Sequence, residues 1–197
     1  MPDSRKPLRV TRRCFEGKAI PTPPFDDIEP FGEKHKPLRA AFYCGVEPLD
    51  RYLKQQATQD AKRRAAVPYV LVSHDNQIAG YYTLSSDNIR VDDLPPELVK
   101  QIKLPRYPVM GATLIGRLAR DLAFRGKGLG EILLIDALKV ALATSEKIAS
   151  VAVLVDSKDD NATRFYSGFG FMPFPESVRR LFLPMQTVER LFSAPDR

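Results

Sequence analysis

The amino-acid sequence predicts an α/β fold in which helices pack against a central mixed β-sheet. The first observation is that strand-like apolar runs alternate with segments that have apolar residues at helical spacing, as in layered α/β domains. The second is a strand-like run, Thr113–Phe124, that leads through a glycine-rich basic turn into a helical segment, Glu131–Ala143. A hydrophobic content of 44% is enough to fill the core of such a domain.

Length and residue types restrict the class of protein. A chain of 197 residues suits one domain with a terminal extension. No run approaches the roughly 18 apolar residues of a membrane span, and no apolar segment follows the N-terminal charges as a secretory signal requires. The two cysteines, Cys14 and Cys44, form no CxxC pair, and the histidines do not cluster. We therefore expect no membrane segment, no disulfide framework, no metal site and a reducing, cytoplasmic environment.

The charge balance is basic, with a formal net charge of +6 and a pI near 9.4. This balance favours a polyanionic partner such as nucleic acid, and it is equally compatible with an ordinary basic soluble protein. Some of the cations flank the glycine-rich turn, so part of the charge would serve the anion that binds there. The basic stretches are Arg5–Arg13, Lys62–Arg64, Lys100–Arg106, Arg117–Lys127 and Arg179–Arg180.

Residues 1–36 are predicted to form a proline-rich basic extension, and residues 37–197 the folded domain. The extension includes PTPPF at Pro21–Phe25 and has neither helical nor strand periodicity. We interpret it as a loosely packed tail with room for one short strand. Its basic residues are either solvated or in contact with an anionic partner.

The first half of the domain predicts a helix, a hairpin and a second, short helix. Apolar residues recur at three- and four-residue steps after Pro48, a residue that is tolerated near a helix start. Pro68 ends this helix, and two β-rich runs follow that are separated by a polar turn. The assignments are a helix over Pro48–Ala65, strands over Tyr69–Asp75 and Ile78–Ser86, and a short helix within Asp92–Arg106.

The second half predicts further strands that alternate with helices. The run SVAVLVD is continuous and β-branched, as expected of a buried strand. A short helix then breaks at Gly168, and two strand regions close the sheet. The assignments are strands over Thr113–Phe124 and Ser150–Asp156, helices over Glu131–Ala143 and Asn161–Ser167, and strand regions over Phe169–Pro175 and Leu181–Met185.

The turn Arg125–Gly130 predicts an anion-binding site, because three glycines and two cations precede a helix. Glycines let a backbone approach a ligand closely, and the first amides of a helix have no partner within it. The P-loop pattern is excluded, since Gly128 rather than Ser or Thr follows Lys127. The G-x-G-x-x-G dinucleotide fingerprint is excluded by the spacing of the glycines. The pattern that fits is R-x-x-G-x-G, and the alternative is a loop that only joins a core strand to a core helix.

This pattern resembles the pyrophosphate loop of the GNAT family of acetyl-CoA-dependent N-acetyltransferases. The resemblance runs from about His35 to Leu191 and is most specific to the GNAT toxins of type II toxin–antitoxin modules. The proline-rich extension departs from that family, as does Gly168, where a charged residue is frequent. The ordered matches are Phe42–Gly45 (F-x-C-G), Leu49–Leu53 (L-D-x-Y-L), Gln56–Asp60 (Q-A-x-Q-D), Gly80–Ser85 (G-Y-Y-T-L-S), Leu104–Pro108 (L-P-R-Y-P), Gly116–Ala119 (G-R-L-A) and Phe165–Phe171 (F-Y-x-x-F-G-F).

The resemblance implies a fold, a reaction and partners. The fold would be the GNAT acyl-CoA N-acyltransferase fold, a central mixed sheet flanked by helices. GNAT toxins transfer an acetyl group from acetyl-CoA to the α-amine of aminoacyl-tRNA, which blocks translation. A small antitoxin, usually with a ribbon-helix-helix DNA-binding half, holds them inactive, and the family often forms homodimers. No metal and no membrane are implied.

The resemblance also assigns site residues. Backbone groups of Leu118, Ala119 and Arg120 would pair with the pantetheine arm of acetyl-CoA, and a backbone amide there would stabilise the developing oxyanion. Tyr166 would protonate the leaving thiolate, and the alternative is that it belongs to an aromatic core cluster. Asn161 would be a secondary cofactor contact. The pyrophosphate would be bound by Arg125, Gly126, Lys127, Gly128, Leu129 and Gly130.

Three questions stay open at this point. No residue stands out as a general base, and water is a sufficient proton acceptor for a weakly basic amine. Cys44 lies far upstream of the turn in sequence, which favours a buried structural thiol over an acetylated nucleophile. The acceptor is aminoacyl-tRNA, a protein amine or a small-molecule amine, and a non-catalytic binding module with the same fold is a further alternative.

Overall fold

One mixed sheet of seven strands organises the part of the chain that the computed structural model describes, residues 28–101 and 107–193. The strand order is β1-β2-β3-β4-β5-β7-β6. Neighbouring strands run antiparallel except β4 and β5, which are parallel. The strands are β1 Glu29–Pro30, β2 Val67–Val72, β3 Ile78–Arg90, β4 Val109–Arg120, β5 Ala152–Asp156, β6 Met172–Phe174 and β7 Ser177–Pro184.

Helices connect these strands. The first helical stretch, Glu47–Arg63, contains one turn of π-helix at Tyr52–Gln56. It ends at Arg64, whose φ of 57° is left-handed, a common way to terminate a helix. None of the helices among the described residues is long and apolar enough to cross a membrane. The α-helices are α1 Glu47–Arg51, α2 Ala57–Arg63, α3 Pro96–Gln101, α4 Leu129–Ser145, α5 Asp160–Ser167 and α6 Met185–Phe192.

Apolar side chains cover both faces of the sheet. On β2, Val70 and Val72 belong to a cluster with α1 and α2, while Leu71 between them belongs to a cluster with α4. This alternation follows from the period of two along a strand. In α4, Leu133, Leu134 and other residues at helical spacing are fully buried against the sheet. A third cluster packs around Leu154 on the face away from α4, toward the start of β4.

Gly80 marks the tightest packing between α4 and the sheet. A Cβ atom added at Gly80 would lie 2.7 Å from Leu133 Cδ1 and 3.0 Å from the carbonyl oxygen of Ala119. We therefore expect Gly80→Ala to lower the free energy of unfolding by about 1–3 kcal/mol, because the overpacked methyl forces backbone and helix apart.

Urea denaturation of the purified variant measures this effect. Gly32→Ala is the matched control, since the nearest atom to its added methyl is the carbonyl oxygen of Pro30 at 4.0 Å. The control is expected to stay within about 0.5 kcal/mol of the wild type. Equal stabilities for the two variants would contradict the proposed packing constraint.

The strand before the glycine-rich turn differs from its prediction at both ends. It begins at Val109 rather than Thr113 and ends at Arg120 rather than Phe124. Residues Leu122–Phe124 form a 3-10 turn instead, because Asp121 Oδ1 accepts a hydrogen bond from the amide of Ala123 at 2.8 Å and caps it.

Two further assignments need correction. Met185 is the first residue of α6 rather than the last of a strand, and α6 itself was not predicted. Within the expected helix Asp92–Arg106, only Pro96–Gln101 is α-helical, and residues 102–106 lie outside the described range. The remaining helices and strands are confirmed, with boundaries shifted by a few residues.

The residues just before position 37 pack against the sheet. Strand β1 pairs with β2, and the side chains of Phe31 and His35 are buried. The His35 ring accepts a hydrogen bond from the amide of Gly32 through Nδ1 and contacts Glu29 through Nε2. The boundary between extension and domain at residue 36 stays a prediction, and residues 1–27 lie outside the described range.

Candidate active site

Strands β4 and β5 part from each other in the middle of the sheet. Their pairing covers only Thr113 to Ile115 on β4, and β5 ends at Asp156. From Gly116 onward, no described strand pairs with β4 on this side. Gly116 is also an extra residue in the register with β3, because Thr83 pairs with Arg117 and Leu84 with Ile115. The bulge at Gly116 re-aims the backbone groups that follow. An extended ligand can therefore pair with the open edge of β4 between residues 116 and 120.

The glycine-rich turn lies at the same end of β4 and leads into α4. Gly126 and Gly128 have φ values of 80° and 70°, the left-handed region that glycine adopts without strain. A Cβ atom added at either position would have no atom within 4 Å, so the space beside the turn is open. Within the described ranges, the backbone amides of residues 126–130 donate to no acceptor. This row of free donors at the positive end of α4 fits an anionic group.

Two cations lie in this turn, and a third ends the strand before it. Arg125 and Lys127 are exposed, and Lys127 Nζ lies 5.1 Å from the centroid of the Phe124 ring. Arg120, at the end of β4, has a buried Nη1 atom with no hydrogen-bond partner among the described residues. None of these three side chains forms an ion pair with a described carboxylate, so their positive charge is available to a ligand.

Tyr166 is packed beside the turn by helix α5. Its ring contacts Phe165 and Phe171 edge-on at centroid distances of 5.2 and 5.5 Å. Phe165 in turn faces Gly130, where an added Cβ would lie 3.6 Å from the ring. Tyr166 and Leu129 belong to the same buried cluster. The structure thus brings the two halves of the predicted site together.

The Tyr166 hydroxyl lies in a buried environment and is protonated at neutral pH. Burial raises the pKa of Tyr166 above the ordinary value for a phenol, and the side chain is only 8% exposed. Its hydroxyl forms no hydrogen bond with any residue that the structure describes. The phenol is therefore a proton donor that is free to engage a ligand at neutral pH.

Asn161 lies in the first turn of α5, which Asp159 caps by accepting a hydrogen bond from the Ala162 amide at 2.8 Å. The Asn161 side chain is exposed and accepts a hydrogen bond from Arg164 Nη2 at 2.5 Å. Its side-chain oxygen is thus already engaged within the helix, and its role toward a cofactor stays a prediction.

The sequence reasoning did not find two features of this site. One is the bulge at Gly116, for which a lone glycine inside a strand pattern is a usable signal. The other is an ion-pair network on the sheet face away from α4, where Arg180 Nη2 lies 2.7 Å from Asp87 Oδ2 and Arg180 Nη1 lies 3.3 Å from Asp156 Oδ2. Asp87 and Arg180 are separated by more than ninety positions, and no local pattern links them.

Cys44 does not have the environment of a nucleophile. Burial and the neighbouring Asp50 carboxylate raise the pKa of the Cys44 thiol to about 11. The thiol donates a weak hydrogen bond to the carbonyl of Val46, with 3.7 Å between sulfur and oxygen. The described surroundings of Cys44 thus fit a structural role.

Comparison with known families shows which protein family has this combination of fold and site. The model of the acetyltransferase (GNAT) family matches residues 34–171, which contain the open edge of β4, the turn and Tyr166. The chain belongs to the GNAT acetyltransferase family. Its open mixed sheet of seven strands is the GNAT fold, and it is an N-acetyltransferase whose acetyl donor is acetyl-CoA. No group of residues that could hold a metal ion is found within the described ranges.

Curated relatives of this GNAT protein are toxins. A "Probable toxin TacT" of Sinorhizobium fredii is 31% identical over 172 residues, which cover 83% of this chain and 93% of the relative. A "tRNA-acetylating toxin" of Mycobacterium tuberculosis is 30% identical over 151 residues, covering 77% of this chain and 88% of the relative.

Solved structures of toxins share the fold. The structure of AtaT complexed with acetyl-methionyl-tRNAfMet matches with a TM-score of 0.77 and 28% identity, covering 85% of this chain and 99% of that one. The structure of AtaTR bound with AcCoA matches with a TM-score of 0.72 and 29% identity, covering 85% and 98%.

Proposed function

We propose that this GNAT protein is a tRNA-acetylating toxin, which transfers the acetyl group of acetyl-CoA to the α-amine of aminoacyl-tRNA and so blocks translation. The observation that carries the proposal is the similarity to tRNA-acetylating toxins along most of the chain. A cognate antitoxin with a ribbon-helix-helix half would neutralise it. The protein would act in the cytoplasm, where charged tRNA and acetyl-CoA are both present.

The open edge of β4 and the turn would hold the donor. Backbone groups of Leu118, Ala119 and Arg120 have no described strand beside them on the β5 side and would pair with the pantetheine amides. The free amides of residues 126–130 and the charges of Arg125 and Lys127 would bind the diphosphate. Open space at the two left-handed glycines supports this fit, because a bulky anion needs close access to the backbone.

Tyr166 would act as the general acid. Attack by the neutral amine forms the new C–N bond, the C–S bond breaks, and the phenol would give its proton to the departing thiolate. The amine nitrogen loses one proton to water, and the Tyr166 phenolate regains one proton from water, so the protons balance and the enzyme is restored. A phenol is protonated over the neutral range, so the proton is available there, and the Tyr166 hydroxyl has no competing partner among the described residues.

A tRNA substrate agrees with the basic surface. The chain has a net charge of +6, and Lys62, Arg63 and Arg64 are exposed in a row at the end of α2. Contacts from Lys and Arg to phosphates supply most of the sequence-independent affinity for nucleic acid. We expect binding that weakens steeply as the salt concentration rises.

Acetylation of charged tRNA by the purified protein tests the proposal. A pool of aminoacylated tRNAs is incubated with radiolabelled acetyl-CoA, and label is expected on the aminoacyl ester and to be released with it by mild base. Uncharged tRNA and aminoacyl-tRNA with a blocked α-amine are the controls, and both are expected to stay unlabelled. Label that appears only on proteins or small amines would instead favour an acetyltransferase with another acceptor.

A further inference from the structure

We infer that the guanidinium of Arg120, and not only its backbone, binds the anionic part of acetyl-CoA. The backbone role alone follows from the resemblance of β4 to the family, but it makes no use of the side chain. This inference rests on the proposed cofactor site and assigns one further binding residue to it.

The side chain of Arg120 is partly buried and forms no ion pair with any carboxylate of the described residues. Its Nη1 atom is buried and has no hydrogen-bond partner within residues 28–101 and 107–193. A buried charged donor without a partner is strongly unfavourable, and such groups are normally paired or bound to a ligand. The nearest carboxylate along the chain, Asp121, is already engaged by the amides of Tyr43 and Ala123 at 2.7 and 2.8 Å.

The strand pattern places Arg120 on the α4 side of the sheet. Ala119 packs into the cluster with α1 and α2, so its neighbours Leu118 and Arg120 belong to the opposite face. Leu118 does pack against the cluster that contains α4. The Cα of Arg120 lies beside Gly80, at the point where Leu133 in the second turn of α4 approaches the sheet.

Two groups that follow one another at the end of β4 therefore lack a partner among the described residues. The free amides of residues 126–130 need an acceptor, and so does the buried guanidinium nitrogen. An anion with several oxygen atoms satisfies both, since one oxygen can accept from the amides while another accepts from Arg120. The diphosphate of coenzyme A has this chemistry, whereas the neutral pantetheine arm does not.

Arg120→Met tests the inference through a combination of effects that a structural role would not produce. Removal of a partly buried charge that has no partner among the described residues is expected to raise the melting temperature of the ligand-free protein by roughly 2–4 °C. The same variant is expected to bind coenzyme A roughly 10- to 100-fold more weakly, measured by calorimetry. Its affinity for pantetheine is expected to be unchanged, because pantetheine lacks the phosphates.

Arg117→Met is the matched control. Arg117 is three residues earlier on the same strand and lies over the Tyr52 ring on the opposite face, 3.6 Å from the ring centroid. This control is expected to bind coenzyme A as the wild type does. Arg120→Lys keeps the charge but not the fork of donors, and we expect an affinity between those of the wild type and Arg120→Met.

Several results would overturn the inference. Wild-type affinity of Arg120→Met for coenzyme A would do so, as would an equal loss for coenzyme A and pantetheine. A lower melting temperature of the ligand-free variant would assign Arg120 to structural support instead. If the wild type itself bound no coenzyme A, both the proposed cofactor site and this inference would be wrong. If the wild type bound it and Arg120→Met bound it equally well, only the inference would be wrong, so the two failures are distinguishable.

Discussion

Tyr166→Phe is expected to lower kcat for acetyl transfer by about 10²- to 10⁴-fold, the range typical of a lost general acid. The fold should not suffer, because the Tyr166 hydroxyl has no hydrogen bond to lose among the described residues and the ring contacts with Phe165 and Phe171 stay in place. Single-turnover acetylation of charged tRNA gives the rate, and calorimetry with coenzyme A should give an unchanged Kd.

Tyr82→Phe is the matched control for the loss of a buried phenol. The Tyr82 hydroxyl donates to Asp136 Oδ2 at 2.6 Å, and its removal leaves that carboxylate with one donor fewer. This variant is expected to lose about 1–3 kcal/mol of unfolding free energy while its rate per folded molecule stays near that of the wild type. If both tyrosine variants lost stability and kept the same rate, Tyr166 would be a core residue and not the acid.

Gly128→Asp is expected to weaken the binding of acetyl-CoA by roughly 10- to 10³-fold, because it places a negative charge beside the diphosphate. Two like charges a few ångströms apart repel by about 1–4 kcal/mol, depending on solvent exposure. Titration calorimetry measures this loss. Asp tolerates the left-handed backbone of this position, and the open space beside Gly128 accepts its side chain, so the protein should remain folded.

Gly128→Asn separates charge from bulk at this position. Asn has the shape of Asp and the same tolerance of left-handed backbone, but it lacks the charge. We expect it to lose far less affinity than Gly128→Asp. Equal losses would mean that the side chain blocks the turn sterically, and wild-type affinity in both variants would remove the turn from the cofactor site.

The sequence predicted the parts of the site that lie close together along the chain. The turn, the helix after it and the aromatic segment with Tyr166 each have a local signature, because backbone conformation and helix starts depend on neighbouring residues. The end of β4 was placed too late, since Leu122–Phe124 is apolar and strand-like by composition. Its helical turn depends on the cap from Asp121, a side chain that also binds the Tyr43 amide from a distant loop.

Other features could not be predicted because they depend on long-range contacts. The orphan nitrogen of Arg120 is apparent only when every possible partner in space is known. The bridge from Arg180 to Asp87 and Asp156 depends on how β3, β5 and β7 are placed in the sheet. Helix α6 was missed because Met185 continues an apolar run, although Pro184 ends the strand.

The gap between β4 and β5 has a consequence for folding as well as for chemistry. Unpaired backbone groups at an exposed strand edge can hydrogen-bond to a strand of another chain, which is a route to aggregation. Here the bare edge lies in the interior of a sheet, where a slender thioester can enter more easily than another polypeptide. At the proposed cofactor site, a metabolite would take the place of the missing strand partner, and binding would raise the free energy of unfolding by about 2.7 kcal/mol at a ligand concentration of a hundred times Kd.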